Sequence, residues 1–175
     1  MQLKRLVSRT GLLQIMPKQE LSNEERLIKA LRNQNDLLRQ IKILLAMQVT
    51  EEEKIVQIKA PSYRASMVLP DLRVDHIQQK IFETSNFYEI ELLEAVARRL
   101  PDAPTIIDVG ANIGNHTVYF AVAANAKKII CFEPQSYMVE LLKKNVNKND
   151  LNDIVTIHQM GLSGQDGYLS QKGGF

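Results

Sequence analysis

The sequence predicts an α/β fold in which parallel strands alternate with helices behind a long amphipathic N-terminal helix. Three stretches carry that prediction. Thr105-Ile-Ile-Asp-Val109 is a short β-branched run bounded by Pro101 and Pro104, as expected of a strand in a parallel sheet. Gly110-Ala-Asn-Ile-Gly114 turns the chain into a helical pattern from about Asn115 to Ala124. Lys128-Ile-Ile-Cys-Phe132 is a second apolar run and ends on Glu133-Pro134. In order these read strand, glycine turn, helix, strand and acid, a βαβ unit with a carboxylate at the tip of its second strand.

Such an order suits an adenosine-containing cofactor held at the carboxyl ends of the strands. Gly110 permits the tight turn out of the first strand, and Gly114 would let the helix start lie close to a ligand. Glu133, 19 residues after Gly114, can accept hydrogen bonds from both ribose hydroxyls. NAD and S-adenosylmethionine compete for this arrangement. The dinucleotide fingerprint G-x-G-x-x-G is absent, because Asn112 stands where its second glycine admits the pyrophosphate, and Asp108 would repel that group. S-adenosylmethionine carries an ammonium and a sulfonium and no phosphate, so an acid beside the first loop favours it.

Ile107-Asp-Val-Gly-Ala-Asn-Ile-Gly-Asn-His-Thr117, with Phe132-Glu-Pro134 and Leu141-Leu-Lys-Lys-Asn145 downstream, resembles the FkbM family of class I S-adenosylmethionine-dependent methyltransferases. The resemblance runs from about Asp75 to Leu169 and includes Phe87-Tyr-Glu89. It implies the first half of a Rossmann-like class I methyltransferase sheet. It also implies that Asp108, Gly110, Asn112 and Gly114 line the methionine end of the cofactor and that Glu133 binds the ribose. Met160 and Gly161 fall past the third strand, where such enzymes enclose the adenine. Gly161 matches the family's small residue, and Met160 either covers the ring or is plain core. Glu89 either reaches the methionine ammonium or stays a surface glutamate. The acceptor implied is a small molecule or glycan, O-methylated on a sugar or natural-product hydroxyl.

Composition adds exclusions. A formal charge of +2 with scattered basic residues argues against a nucleic-acid partner. The chain contains no apolar run of the ~18 residues that span a membrane, so no transmembrane segment is expected. Cys131 is the single cysteine, which excludes an internal disulfide and fits a reducing cytoplasm. His76 and His158 lack the partners of a metal site, and His116 reads as a helix-start cap. No residue is assigned as catalytic base.

In chain order, residues 1–21 carry Lys4, Arg5, Arg9 and Lys18 among leucines and read as a flexible tail, or else as a basic segment for a membrane surface. Residues 22–50 form the most periodic segment. Leu31, Leu38 and Leu45 take the a positions of a heptad, and Leu27, Gln34, Ile41 and Gln48 take d. A coiled coil joining copies of the chain and a single helix packed on its own domain both fit. Residues 51–75 form a linker with a strand or hairpin over 55–69, closed by Pro70-Asp71. The partial methyltransferase domain covers 76–175. It opens with two helices broken near Ser85-Asn86; after Glu133 come a helix capped by Ser136, a third strand at 154–158, a turn at 163–167 and a strand remnant at 168–170. The strands that come later in such a sheet have no counterpart, so the first strand is expected to keep one edge unpaired. A truncated, non-catalytic product or a helix-mediated interaction module is the alternative function.

Overall fold

A computed structural model of the chain describes residues 4–7, 13–16, 22–48 and 54–164. The chain divides into two compact units, Met1–Lys42 and Ile43–Phe175. In the first, β1 (Lys4–Val7) and β2 (Leu13–Met16) pair antiparallel, with Lys4 opposite Met16. The ladder lies inside the segment 1–21. Helix α1 (Asn23–Gln48) begins on a reciprocal cap. The Glu25 amide donates to Ser22 Oγ at 3.1 Å, and the Ser22 amide donates to Glu25 Oε2 at 2.7 Å. Its stripe residues Leu27, Leu31, Leu38 and Ile41 are exposed.

The second unit begins with an antiparallel hairpin, β3 (Ile55–Lys59) and β4 (Arg64–Val68). Alternation decides its faces: Val56 and Ile58 on β3 and Ala65 and Met67 on β4 are buried, and Gln57 bonds Ser66 on the other side. Two helices follow, α2 (His76–Thr84) and α3 (Ile90–Ala97). The first starts on Asp75, whose carboxylate accepts from the Gln78 amide, and stops at Ser85 in the left-handed region. The remaining elements are β5 (Thr105–Val109), α4 (Asn115–Val122), β6 (Lys128–Phe132), α5 (Ser136–Lys148) and β7 (Val155–His158).

Strands β5, β6 and β7 form a parallel sheet in that order, with Asp108 opposite Cys131 and Val109 opposite Phe132, itself opposite His158. Two successive crossovers in one direction put α4 and α5 on the same face of the sheet. The hairpin packs on the outer side of both helices through β4, which makes three layers. Helix α4 is therefore buried nearly all round, Val118, Tyr119, Phe120 and Ala121 included. A set of rings, Tyr63, Phe87, Tyr119 and Phe120, edge-to-face except for the tilted Tyr63–Phe87 pair, joins it to the hairpin and the α2–α3 corner at centroid separations of 5.4 to 6.0 Å.

On the opposite face of the sheet Ile107 and Val109 are 63% and 59% exposed, and among the described residues no strand pairs with the outer edge of β5. Ser136 is not the cap of α5. The cap is Gln135, without a side-chain bond, and Ser136 Oγ instead accepts from Gln159 Nε2 at 2.8 Å. The strand remnant at 168–170 lies outside the described residues, as does most of the turn before it.

Candidate functional site

The loop 110–114 leaves β5 at its carboxyl end and turns into α4 through three left-handed residues, Gly110 (φ 76°), Asn112 (φ 50°) and Gly114 (φ 88°). Both glycines are needed, for different reasons. A Cβ on Gly110 would stand in open space, so only its backbone angle demands glycine there. A Cβ on Gly114 would come within 2.6 Å of Leu142 Cδ1, so the missing side chain lets α4 lie against α5. Gly114 thus packs against protein where the sequence suggested approach to a ligand.

Every backbone amide of the loop already has an acceptor. Gly110 and Ala111 donate to the carbonyl of Phe132, and Gly114 donates to that of Ala111. The Asn112 amide donates to Glu133 Oε2 at 2.9 Å and the Ile113 amide to Asn112 Oδ1. Asn145 Nδ2, fully buried on α5, donates to the Ile113 carbonyl at 2.8 Å. None of these five amides is left over to cradle a pyrophosphate within the loop.

Acids flank the loop instead. Glu133 is 4% exposed at the tip of β6 and accepts from the amides of Asn112 and Gln135, both at 2.9 Å. Each of its oxygens keeps a second lone pair. Asp108 is 9% exposed and accepts from Thr117 Oγ1. Next to the loop lies a cavity of about 160 Å³, lined by Ile77, Tyr88, Glu89, Gly110, Asn112 and His116 among others. Asp108 and Glu133 border the loop and are absent from that lining. The cavity is smaller than the ~300 Å³ at which small-molecule sites begin, so it suits one end of a cofactor.

Tyr88 and Glu89 form one wall of the cavity and are pinned by Asn115, whose Oδ1 accepts from the Tyr88 amide and whose Nδ2 donates to the Tyr88 carbonyl, at 2.9 and 3.0 Å. This pair holds Glu89 in the left-handed region, at φ 57°. His116 Nε2 stands 3.7 Å from Glu89 Oε2, an ion pair when the ring is protonated.

The structure brings Asp108, Gly110, Asn112, Gly114 and Glu133 together around one loop. Met160, 50% exposed, and Gly161 lie beyond the end of β7 and away from that cavity. His158 stacks on Phe132 at 5.1 Å between β7 and β6. Sequence reasoning missed the roles of Asn115, Thr117 and Asn145. Their signal was weak: three polar residues on otherwise apolar helix faces.

Among known proteins, the family model of the TRM5/TYW2 methyltransferase domain matches residues 71–164. The chain is 32% identical over 123 residues to the methyltransferase sdnD of Sordaria araneosa, covering 70% of this chain and 43% of that protein. It spans less than half the length of the curated relatives it matches. Similar solved structures include M. jannaschii TYW2 with AdoMet, at 17% identity and a TM-score of 0.43, covering 64% of this chain and 46% of that one. Another is the complex of aTrm5 with tRNALeu, at 20% identity and a TM-score of 0.39, covering 62% and 29%.

These findings correct two expectations. The matching family is TRM5/TYW2 and not FkbM; the motif 107–117 encodes a glycine turn and one acid, too little to separate one such family from another. The exclusion of nucleic acid also falls: it rested on net charge alone, and the family that matches is TRM5/TYW2. Net charge sums over the whole chain and reports nothing about a local surface.

Proposed function

The chain belongs to the TRM5/TYW2 methyltransferase-domain family, and from that premise we propose that it holds S-adenosylmethionine for a methyl transfer. One observation carries the choice of cofactor. All five amides of the loop 110–114 are taken, while two carboxylates beside it keep free lone pairs. That pattern offers a phosphate no donor within the loop and suits a ligand with a cationic amino-acid end and a ribose diol. In this reading Asp108, Gly110 and Asn112 face the methionine end, Glu133 takes the ribose, and Met160 and Gly161 border the adenine. Gly114 serves the same loop by closing α4 onto α5. The bound cofactor supplies a methyl group on a sulfonium; the chain's own part is to position it.

Calorimetry on the chain tests the cofactor: S-adenosylhomocysteine should bind and NAD should not. NAD binding with no response to S-adenosylhomocysteine would overturn the assignment. Glu133→Ala should weaken binding by about 2 to 4 kcal/mol, because the ribose bonds and the Asn112 anchor go together. For the acceptor we favour tRNA, following the family match. Transfer to a sugar or natural-product hydroxyl is the competing arm of one assay with labelled S-adenosylmethionine. Label in hydroxyl acceptors and none in tRNA would reverse the choice.

A further inference from the structure

Thr117 stands on α4 with its hydroxyl between two strands. Oγ1 donates to Asp108 Oδ2 at 2.6 Å and lies 3.2 Å from Cys131 Sγ. Thr117 and Cys131 are fully buried, and Asp108 nearly so. A threonine hydroxyl has one proton. With that proton committed to the carboxylate, the contact with Cys131 must run the other way, from thiol to hydroxyl oxygen. Burial pushes the Cys131 thiol up to about 11, so it keeps the proton it donates. A relay of fixed direction follows, Cys131 to Thr117 to Asp108.

The relay occupies one oxygen of Asp108. Among the described residues no buried side-chain polar atom lacks a partner, and the hydrogen bond of Asp108 runs through Oδ2, so Oδ1 keeps its access to solvent. An unheld aspartate would rotate broadly about its last torsion and present either oxygen. We propose that Thr117 is a positioning residue: by holding Oδ2 it fixes the plane of the Asp108 carboxylate and presents Oδ1 to the ammonium of the cofactor's methionine end. The proposal rests on the reading of this loop as the cofactor site. It assigns Thr117 no contact with the cofactor and no part in the chemistry.

Two ligands that differ only at that end provide the test. S-adenosylhomocysteine carries the ammonium; 5′-methylthioadenosine has the same adenosine and sulfur and lacks it. By calorimetry, Thr117→Val should weaken S-adenosylhomocysteine by about tenfold, the worth of one hydrogen bond to a charged group, and leave 5′-methylthioadenosine unchanged. Thr117→Ser, which keeps the hydroxyl, should restore the affinity. In an Asp108→Asn background Thr117→Val should add nothing, since it acts through the carboxylate. That double variant leaves no buried carboxylate without a partner, so it keeps the test available if the single valine variant does not fold. Equal weakening of both ligands would assign Thr117 to the scaffold alone and overturn the proposal, as would an unchanged affinity for S-adenosylhomocysteine or a further loss in the Asp108→Asn background. A wild-type chain that binds neither ligand overturns the cofactor reading and this proposal together. A wild-type chain that binds both, with the valine variant indifferent, overturns this proposal only.

Discussion

Ile107 and Asp108 are neighbours on β5, yet the isoleucine is 63% exposed and the aspartate 9%. The difference belongs to the two faces of the sheet. On the covered face Ile106 and Asp108 lie beside Ile129 and Cys131 under the crossover helices, and the one charge there is met by a hydroxyl. On the other face Ile107 and Val109 lie beside Ile130 and Phe132 and stay exposed among the described residues. Residue type alone would put the isoleucine inside and the acid outside. Connection order decides instead: helices that follow β5 and β6 in one direction can cover one side only.

The largest effect should come from the covered side. Gly114→Ala forces a left-handed alanine and drives a methyl group into Leu142 Cδ1, at an expected loss of about 3 kcal/mol in urea unfolding. Adding Leu142→Ala should relieve the clash and leave the backbone strain. A single Gly114→Ala variant as stable as the wild type would mean that α4 and α5 have room to part.

A smaller effect on the same face depends on pH. Cys131 titrates at about 11 in the folded chain against an ordinary 9.0, chiefly through burial. A raised folded value means stability that is whole below pH 9 and is lost as pH rises from 9 towards 11. The loss should approach roughly 2 kcal/mol in denaturant midpoints. Comparing Cys131→Ala with the wild type isolates it: that variant should lack this part of the decline.

The smallest effect belongs to the open face. Ile107→Thr with Val109→Thr should change stability by no more than about 0.5 kcal/mol, since little apolar area is lost from a core. The same pair should reduce self-association measured by light scattering, because it removes apolar surface beside an unpaired edge. A drop of several kcal/mol would show that something covers this face in solution.

The elements of the second unit were readable in the sequence because each left a local mark: β-branched runs for β5 and β6, a 3.6-residue repeat for α5, and a break at Ser85-Asn86 between α2 and α3. The acids at 108 and 133 and the glycine at 110 were readable too, since the turn chemistry that places them is local. The packing reason for Gly114 was not readable, because Leu142 lies 28 residues away on another helix. Thr117 and Asn145 were legible only as motif residues without a role, because a polar residue on a buried face has no signature until its partner is known. The all-round burial of α4 depends on the hairpin, 50 residues earlier, folding back over it.

That hairpin is tied down in an unusual way. Asn149, the cap residue at the end of α5, exchanges two hydrogen bonds with the backbone of Ser66, and Asn145 on α5 accepts from the Val68 amide. Two side-chain amides one helical turn apart thus stand in for the backbone of a third strand along β4. The same Asn145 holds the Ile113 carbonyl of the glycine loop through its Nδ2. Peeling the hairpin from α5 therefore removes an anchor from the loop, and the two should open as one cooperative unit. In hydrogen exchange the amides of Ser66 and Val68 would then report on the loop's integrity from a strand more than 40 residues earlier in the chain.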